Sequence, residues 1–351
     1  MAEIKQPFKT DVSVLLLFHA RADHFSKVWE EVRKARPARL FLFQDGARLV
    51  DAEGNAITDQ KKSKDYEGIM ECRELVDDRN IDWQCEVHRN YQEKNLGCDP
   101  AGYRSQQWAF SLTDKCIVLE DDCVPSQSFF PFCKEMLERY EHDERITMIA
   151  GFNTEAEHTS LMRESYFFTR VFSIWGWASW ARVILNRDGE YGFVKDAKQF
   201  DMLKKKVATY NQRKDMPAMC QWHADSGKQY FESIFWAYML LHDGLAIMPC
   251  VNLINNIGLD GGTHYSTQLG LIPKRLRHIF TMKRSEMTFP LIHPTDVREY
   301  REYQRLNYLR NAWNNPWRKV QYSLEELWLN LKAGNISHIM QSVKSRLEKS
   351  L

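Results

Sequence analysis

The chain opens with a short uninterrupted apolar run, Val12–Phe18, that follows polar Lys9-Thr10-Asp11 and stops at His19. An apolar run of that length without alternation predicts a strand buried on both faces. Phe25–Ala35 then carries apolar residues at helical spacing, and Leu40–Phe43 is a second buried strand closed by Gln44-Asp45-Gly46. The charged stretch Asp59–Asp78 reads as helix, Ile81–His88 as a strand with polar alternation, and Pro100–Leu112 as helix. Ile117–Leu119 is another buried strand, and it runs straight into Glu120-Asp121-Asp122. Strands alternating with helices predict an α/β fold with a mostly parallel central sheet flanked by helices. Ligands of such sheets sit beyond the carboxyl ends of the strands. Polar residues occupy three of those ends: His19–Arg21, Asp45–Arg48 and Glu120–Asp122.

Phe129–Tyr140 continues as a helix, and a loop-rich, Trp-rich middle follows. Lys195–Lys214 is a charged surface helix, Phe231–Leu241 an apolar helix, Ala246–Pro249 a short strand and Gly258–His264 a glycine-rich loop. Beyond residue 270 the character changes. Basic residues outnumber acidic ones from Arg301 onward, and Trp313, Trp317 and Trp328 are interspersed. Leu324, Leu327, Trp328 and Leu331 share one helical face; Ile336, Ile339, Met340, Val343 and Leu347 share another. This reads as one domain over 1–270 and a basic, Trp-containing helical C-terminal extension over 271–351. The helices of the extension either pack on the domain or lie on an anionic membrane as a peripheral contact.

Composition narrows the class. Hydrophobic residues at 44% supply a sizeable core, and a formal net charge of +1 gives no reason to expect nucleic acid as partner. Eleven Trp are many for 351 residues. The eight Cys include no CxxC pair, and Cys116, Cys123 and Cys133 lie in apolar runs, a pattern of reduced, core-filling thiols. With no signal-peptide pattern and no run near the ~20 apolar residues that span a bilayer, the expectation is a cytoplasmic protein, or one peripheral on the inner face of the cell membrane.

The strongest chemical feature is Glu120-Asp121-Asp122. Three successive carboxylates directly after a buried strand repel one another and are costly to desolvate. A hard divalent cation, Mn²⁺ or Mg²⁺, relieves both costs and can neutralise a diphosphate leaving group. The plain alternative is that Asp122 or Ser126 caps the helix starting near Phe129.

The stretch Val118-Leu-Glu-Asp-Asp-Cys-Val-Pro-Ser-Gln-Ser-Phe-Phe resembles the acidic metal motif of GT-A fold glycosyltransferases. It is most similar to the Glu-Asp-Asp version in the N-acetylglucosaminyltransferase I family and related bacterial transferases. The likeness runs from about Val12 to Tyr265, and makes 1–125 a donor half and 126–270 an acceptor half. It implies a metal-dependent transferase that moves a sugar from a UDP-sugar, with UDP-N-acetylglucosamine one candidate, to a glycan or lipid-linked glycan such as a bacterial surface polysaccharide. Inversion at the anomeric carbon rests on the resemblance alone. By the same resemblance Arg21 and Asp45 bind the donor nucleotide, Asn95, Gly97 and Arg104 form a donor loop, and Glu120 and Asp121 face the donor. Asp122 is the direct metal ligand and His264 a second one. Glu232, at the start of an apolar helix where relatives carry Asp, is the general base, with Asp225 as the alternative. Arg170, Trp175, Trp177 and Trp180 lie beside the donor sugar and acceptor. Each has a bland counterpart: a surface Arg, an Asp-Gly turn, a helix-start acid, a core aromatic cluster. Two other classes remain open, a metal-dependent phosphohydrolase and a non-catalytic nucleotide- or sugar-binding protein.

Overall fold

The computed structural model describes residues 5–210, 216–259, 268–312 and 315–336. Its first part alternates β1 (Thr10–Phe18), α1 (Ala22–Ala35), β2 (Pro37–Gln44), α2 (Tyr66–Leu75), β3 (Glu86–Tyr91), α3 (Cys98–Phe110) and β4 (Lys115–Glu120). β1 pairs in parallel with both β2 and β4, and β2 with β3. The central residues Val14, Leu15, Leu16, Leu40, Phe41, Leu42 and Ile117 are fully buried, which explains why these strands lack alternation. α2 is shorter than the charged stretch 59–78 suggests, and β3 begins five residues later than expected. Trp83, within the expected strand, is buried, and its Nε1 donates to the Pro37 carbonyl at 2.8 Å.

The second part adds β5 (Cys123–Pro125), α4 (Phe129–Arg139), β6 (Ile146–Ala150), α5 (Ala156–Thr159), β7 (Tyr166–Thr169), β8 (Trp177–Trp180), α6 (Ala181–Ile184) and α7 (Gly192–Lys195). It continues with α8 (Ala197–Tyr210), α9 (Met216–Ser226), α10 (Phe231–Leu241), β9 (Leu245–Pro249) and β10 (Ile254–Asn256), then α11 (Lys274–Thr281), α12 (Arg301–Arg310) and α13 (Pro316–Lys332). Among the described residues the sheet has eight strands, in the order β3-β2-β1-β4-β8-β6-β9-β7. It is mostly parallel, with β8 antiparallel between β4 and β6, and β7 antiparallel on β9. β5 and β10 form a small separate ladder. The expected α/β architecture, a mostly parallel central sheet between helices, is therefore present. The loop-rich middle is not: it contains three sheet strands of four or five residues.

The boundary drawn at residue 270 is no break in packing. Leu291 belongs to the main core, and Tyr303 and Tyr308 pack with Phe167, Val171 and Met248. Arg310 of α12 holds the buried Glu155 carboxylate through two hydrogen bonds of 2.7 and 2.8 Å. α13 behaves differently, because Asn330 is its one buried residue among those described.

Candidate active site

The chain runs from β1 outward to β2 and β3, then returns to lay β4 on the other side of β1. The carboxyl ends of β1 and β4 therefore flank a topological switch point, where open α/β sheets bind ligands. Arg21, just past β1, meets Asp121 and Asp122, just past β4. Its Nη2 donates to Asp121 Oδ1, and to Asp122 Oδ2 at 2.8 Å. Both aspartates are buried. Burial alone would lower the Arg21 pKa, but the two carboxylates reverse that and raise it, so the guanidinium stays charged. Its Nη1 is buried and has no hydrogen-bond partner among the described residues.

Asp122 is gripped from the far side. Asn256 Nδ2 donates to its Oδ1 at 3.3 Å, and the Ile257 N–H donates to its carbonyl at 2.9 Å. Gly258 lies so close that an added Cβ would stand 2.0 Å from Asp122 Oδ2; this position needs glycine for clearance. Burial first, and then Asp122, Asp121 and Glu232, raise the Glu120 pKa well above the ordinary carboxylate range, against the pull of Arg21. Burial likewise raises Asp121, with Arg21 opposing it. Among the described residues, these three carboxyl groups have one guanidinium, Arg21, which pairs with Asp121 and Asp122.

That imbalance decides whether a cation suits the site. The donor set is all carboxylate oxygen, which matches Mg²⁺ or Mn²⁺, and the uncompensated negative charge favours binding a cation. The two groups that could compete chemically, a cation and the Arg21 guanidinium, share Asp122. Elsewhere, ligand atoms of Glu155, Glu157 and His158 lie within 4.8 Å of one another. There Arg310 already pairs with both glutamates and supplies the positive charge.

Asp45, just past β2, has a different task from the one expected. Its carboxylate accepts from the N–H groups of Gly46, Leu96 and Gly97 at 2.9, 2.8 and 3.1 Å and from Asn95 Nδ2 at 2.9 Å. The four acceptor positions of a carboxylate are thereby used within the protein. A nucleotide would meet the loop that Asp45 shapes, not a free Asp45 oxygen. Asn95 is committed to the same knot, its Nδ2 also donating to the Gly46 carbonyl at 2.9 Å. Gly97, at φ +85°, turns the chain into α3, and Arg104 is exposed on that helix.

α10 brings Glu232 to the acidic trio. The Phe231 ring packs against Gly102, where a Cβ would sit 2.7 Å from the ring, so the start of α10 abuts α3. Exposed Glu232 lies close enough to raise the pKa of both Glu120 and the Cys98 thiol electrostatically. Asp225 is exposed on α9 and accepts from Gln221 Nε2 at 3.0 Å.

The tryptophan expectation needs correction. Trp177 and Trp180 lie in β8 at the sheet's centre and are buried. Trp180 donates from Nε1 to the Leu137 carbonyl at 3.0 Å, and Trp177 packs on Phe235 with centroids 5.8 Å apart. Neither ring can serve as a platform for a sugar. Trp175 is partly buried against Phe152 and Phe280. Arg170 is paired with Asp243 at 3.3 Å and Glu299 at 3.8 Å, a structural role in place of the expected ligand contact. His264 lies outside the described residues.

An open aromatic surface does exist, on residues the sequence reading passed over. Trp222 of α9 is 61% exposed, with its ring centroid 5.8 Å from that of Tyr230. Tyr230 stacks on His223 at 3.8 Å and immediately precedes α10. His223 is anchored by Ser233 Oγ at 2.8 Å, and burial lowers its pKa. Tyr230 stands two residues before Glu232 in the chain, and Trp222 ten. The available signal was two aromatics flanking Gly227 just ahead of the candidate base.

No protein-family model and no curated protein matches this chain. Solved structures that match include the glycosyltransferase GlyE of Streptococcus pneumoniae TIGR4, at 8% identity and TM-score 0.30, over 54% of this chain and 40% of that one. Mouse xyloside xylosyltransferase 1 matches at 11% identity and TM-score 0.32, over 67% and 84% of the two chains. The UTP-bound UGPase of Acinetobacter baumannii matches at 9% identity and TM-score 0.29, over 68% and 86%. At scores of this size the likeness assigns neither activity nor substrate.

Proposed function

We propose that this protein is a GT-A type glycosyltransferase that takes a sugar from a nucleotide-sugar donor and attaches it to a carbohydrate hydroxyl with inversion. The observation that carries this reading is the Glu120-Asp121-Asp122 trio at the switch point of the sheet, its two aspartates buried and both paired with the Arg21 guanidinium. The resemblance of the acidic motif supports a UDP-linked donor, with N-acetylglucosamine one candidate sugar, and a glycan or lipid-linked glycan as acceptor.

Asp122 would hold an Mn²⁺ or Mg²⁺ ion, with Glu120 and Asp121 supplying further negative charge. Bound there, the ion would neutralise charge on a diphosphate. Arg21 is suited to the same anion, because its Nη1 has a free N–H while Nη2 stays anchored. Glu232 accepts the proton of the acceptor hydroxyl. The oxygen then forms its bond to the anomeric carbon as the bond to the diphosphate breaks, and the nucleoside diphosphate leaves with the electron pair.

The test is a panel of nucleotide sugars incubated with Mn²⁺, scored for release of nucleoside diphosphate with and without acceptor. Slow hydrolysis of one donor by wild type, and loss of its Mn²⁺-dependent binding in Asp122→Asn, is expected. Equal donor binding by wild type and Asp122→Asn would remove the metal assignment. Release of inorganic phosphate instead of nucleoside diphosphate would favour a phosphohydrolase.

Trp222 and Tyr230 supply the acceptor platform in this reading, since sugar C–H faces pack on exposed rings. Trp222→Ala should raise the acceptor KM about tenfold, on ~1.4 kcal/mol of lost ring contact, with kcat and donor hydrolysis unchanged. An unaltered acceptor KM would leave Trp222 as a surface residue only.

A further inference from the structure

α13 is a 17-residue helix, about 25 Å long at the α-helical rise. Trp317, Val320, Leu324, Leu327, Trp328 and Leu331 fall at the three- and four-residue steps of a single face. Every one of them is exposed, from 41% at Leu327 to 81% at Trp317. A soluble surface does not ordinarily leave a whole apolar stripe in water, and such a stripe marks an interaction site.

The charges around the stripe identify the partner. Arg318, Lys319 and Lys332 outnumber Glu325 and Glu326 on the helix itself. Lys274 and Arg275, both exposed, open α11 alongside, where the Lys274 N–H donates to Glu325 Oε1 at 2.9 Å. Lys332 reaches over the Trp328 ring at 5.2 Å. Apolar side chains flanked by tryptophan rings and basic heads match the layered chemistry of a bilayer interface with anionic headgroups. No helix among the described residues is long and apolar enough to cross a membrane, so the contact lies along the surface. A second copy of this chain is disfavoured as the occupant, because an isologous contact would bring the same basic groups face to face.

We propose that α13 docks flat on an anionic lipid bilayer, sinking its apolar stripe among the acyl chains while the basic residues of α13 and α11 meet the headgroups. This surface is independent of the transferase reading. The test is flotation of the full chain with phosphatidylcholine vesicles containing roughly one-third phosphatidylglycerol, against phosphatidylcholine alone. Wild type should float with the anionic vesicles, much less with neutral ones, and less again at high salt. Leu324→Glu with Trp328→Glu should lower partitioning at least tenfold, with donor hydrolysis and melting temperature unchanged. Lys319→Glu with Lys332→Glu, which spares the stripe, should erase the preference for anionic lipid. Failure of wild type to bind anionic vesicles, or equal binding to neutral ones, overturns the proposal. So does a dimer in lipid-free solution that Trp328→Glu dissociates, or loss of the fold in the Leu324/Trp328 variant.

Discussion

Trp177→Ala should destabilise the fold, not weaken sugar binding on a folded protein. Trp177 is 1% exposed. Its strand pairs with Val118 of β4 on one side and Ala150 of β6 on the other, so it joins the parallel half of the sheet to the mixed half. The ring packs on Phe235 of α10. Just before it, Gly176 at φ +66° passes so near Ile254 that a Cβ would meet the side chain at 2.4 Å. The surroundings are therefore too tightly built to collapse into the vacated space. Burial loss and a residual cavity cost ~3–5 kcal/mol for Trp→Ala in a core, against a total stability of about 5–15 kcal/mol for a domain. Denaturant unfolding should show a clearly lowered midpoint, and Trp177→Phe should cost less. An unchanged midpoint with lost acceptor binding would restore Trp177 to the ligand site. Trp222→Ala, at an exposed ring, should move the midpoint hardly at all.

The contrast between these tryptophans shows what the sequence could and could not reveal. β1, β2 and β4 were legible because strands covered on both faces leave unbroken apolar runs. α10 was legible to the residue, since Phe231–Leu241 is apolar nearly all round and long enough to exclude a strand. The acidic trio stood out because three carboxylates at the end of a buried strand have no cheap structural explanation. β6, β7 and β8 were not legible, since four or five residues carry too few positions to display a period. Trp residues in that stretch were assigned to ligand faces because a tryptophan suits a core and a sugar site equally well, and only the packing distinguishes them. Other features depend on remote partners. Asp45 is tied to residues 95–97 across some fifty positions, and Arg310 to Glu155 across 155. Local pattern carries no information about such pairs. The face of α13 was legible as a stripe, but its exposure was not.

Glu232→Gln should lower kcat by ~10²–10⁴-fold, the range general-base catalysis typically supplies, while donor affinity stays near wild type. The substitution preserves size and hydrogen-bonding capacity and removes only the proton acceptor. Glu232 is positioned for the task by α10, whose first turn is wedged against α3 through Phe231 and Gly102. It is exposed, so an acceptor hydroxyl can approach it, yet it acts electrostatically on Glu120. A change confined to kcat would place the lost interaction in the transition state and not in ground-state binding. Asp225→Asn is the paired control and should be mild, because Asp225 sits on the exposed side of α9 with Gln221 as its partner. The variants should be compared by steady-state transfer and by donor titration. The reversed pattern, with Asp225→Asn inactive and Glu232→Gln nearly normal, would move the base to α9 and leave the acidic trio's role intact. Were neither variant impaired, the inverting mechanism would have lost its base, and a retaining transfer would become the better account of the site.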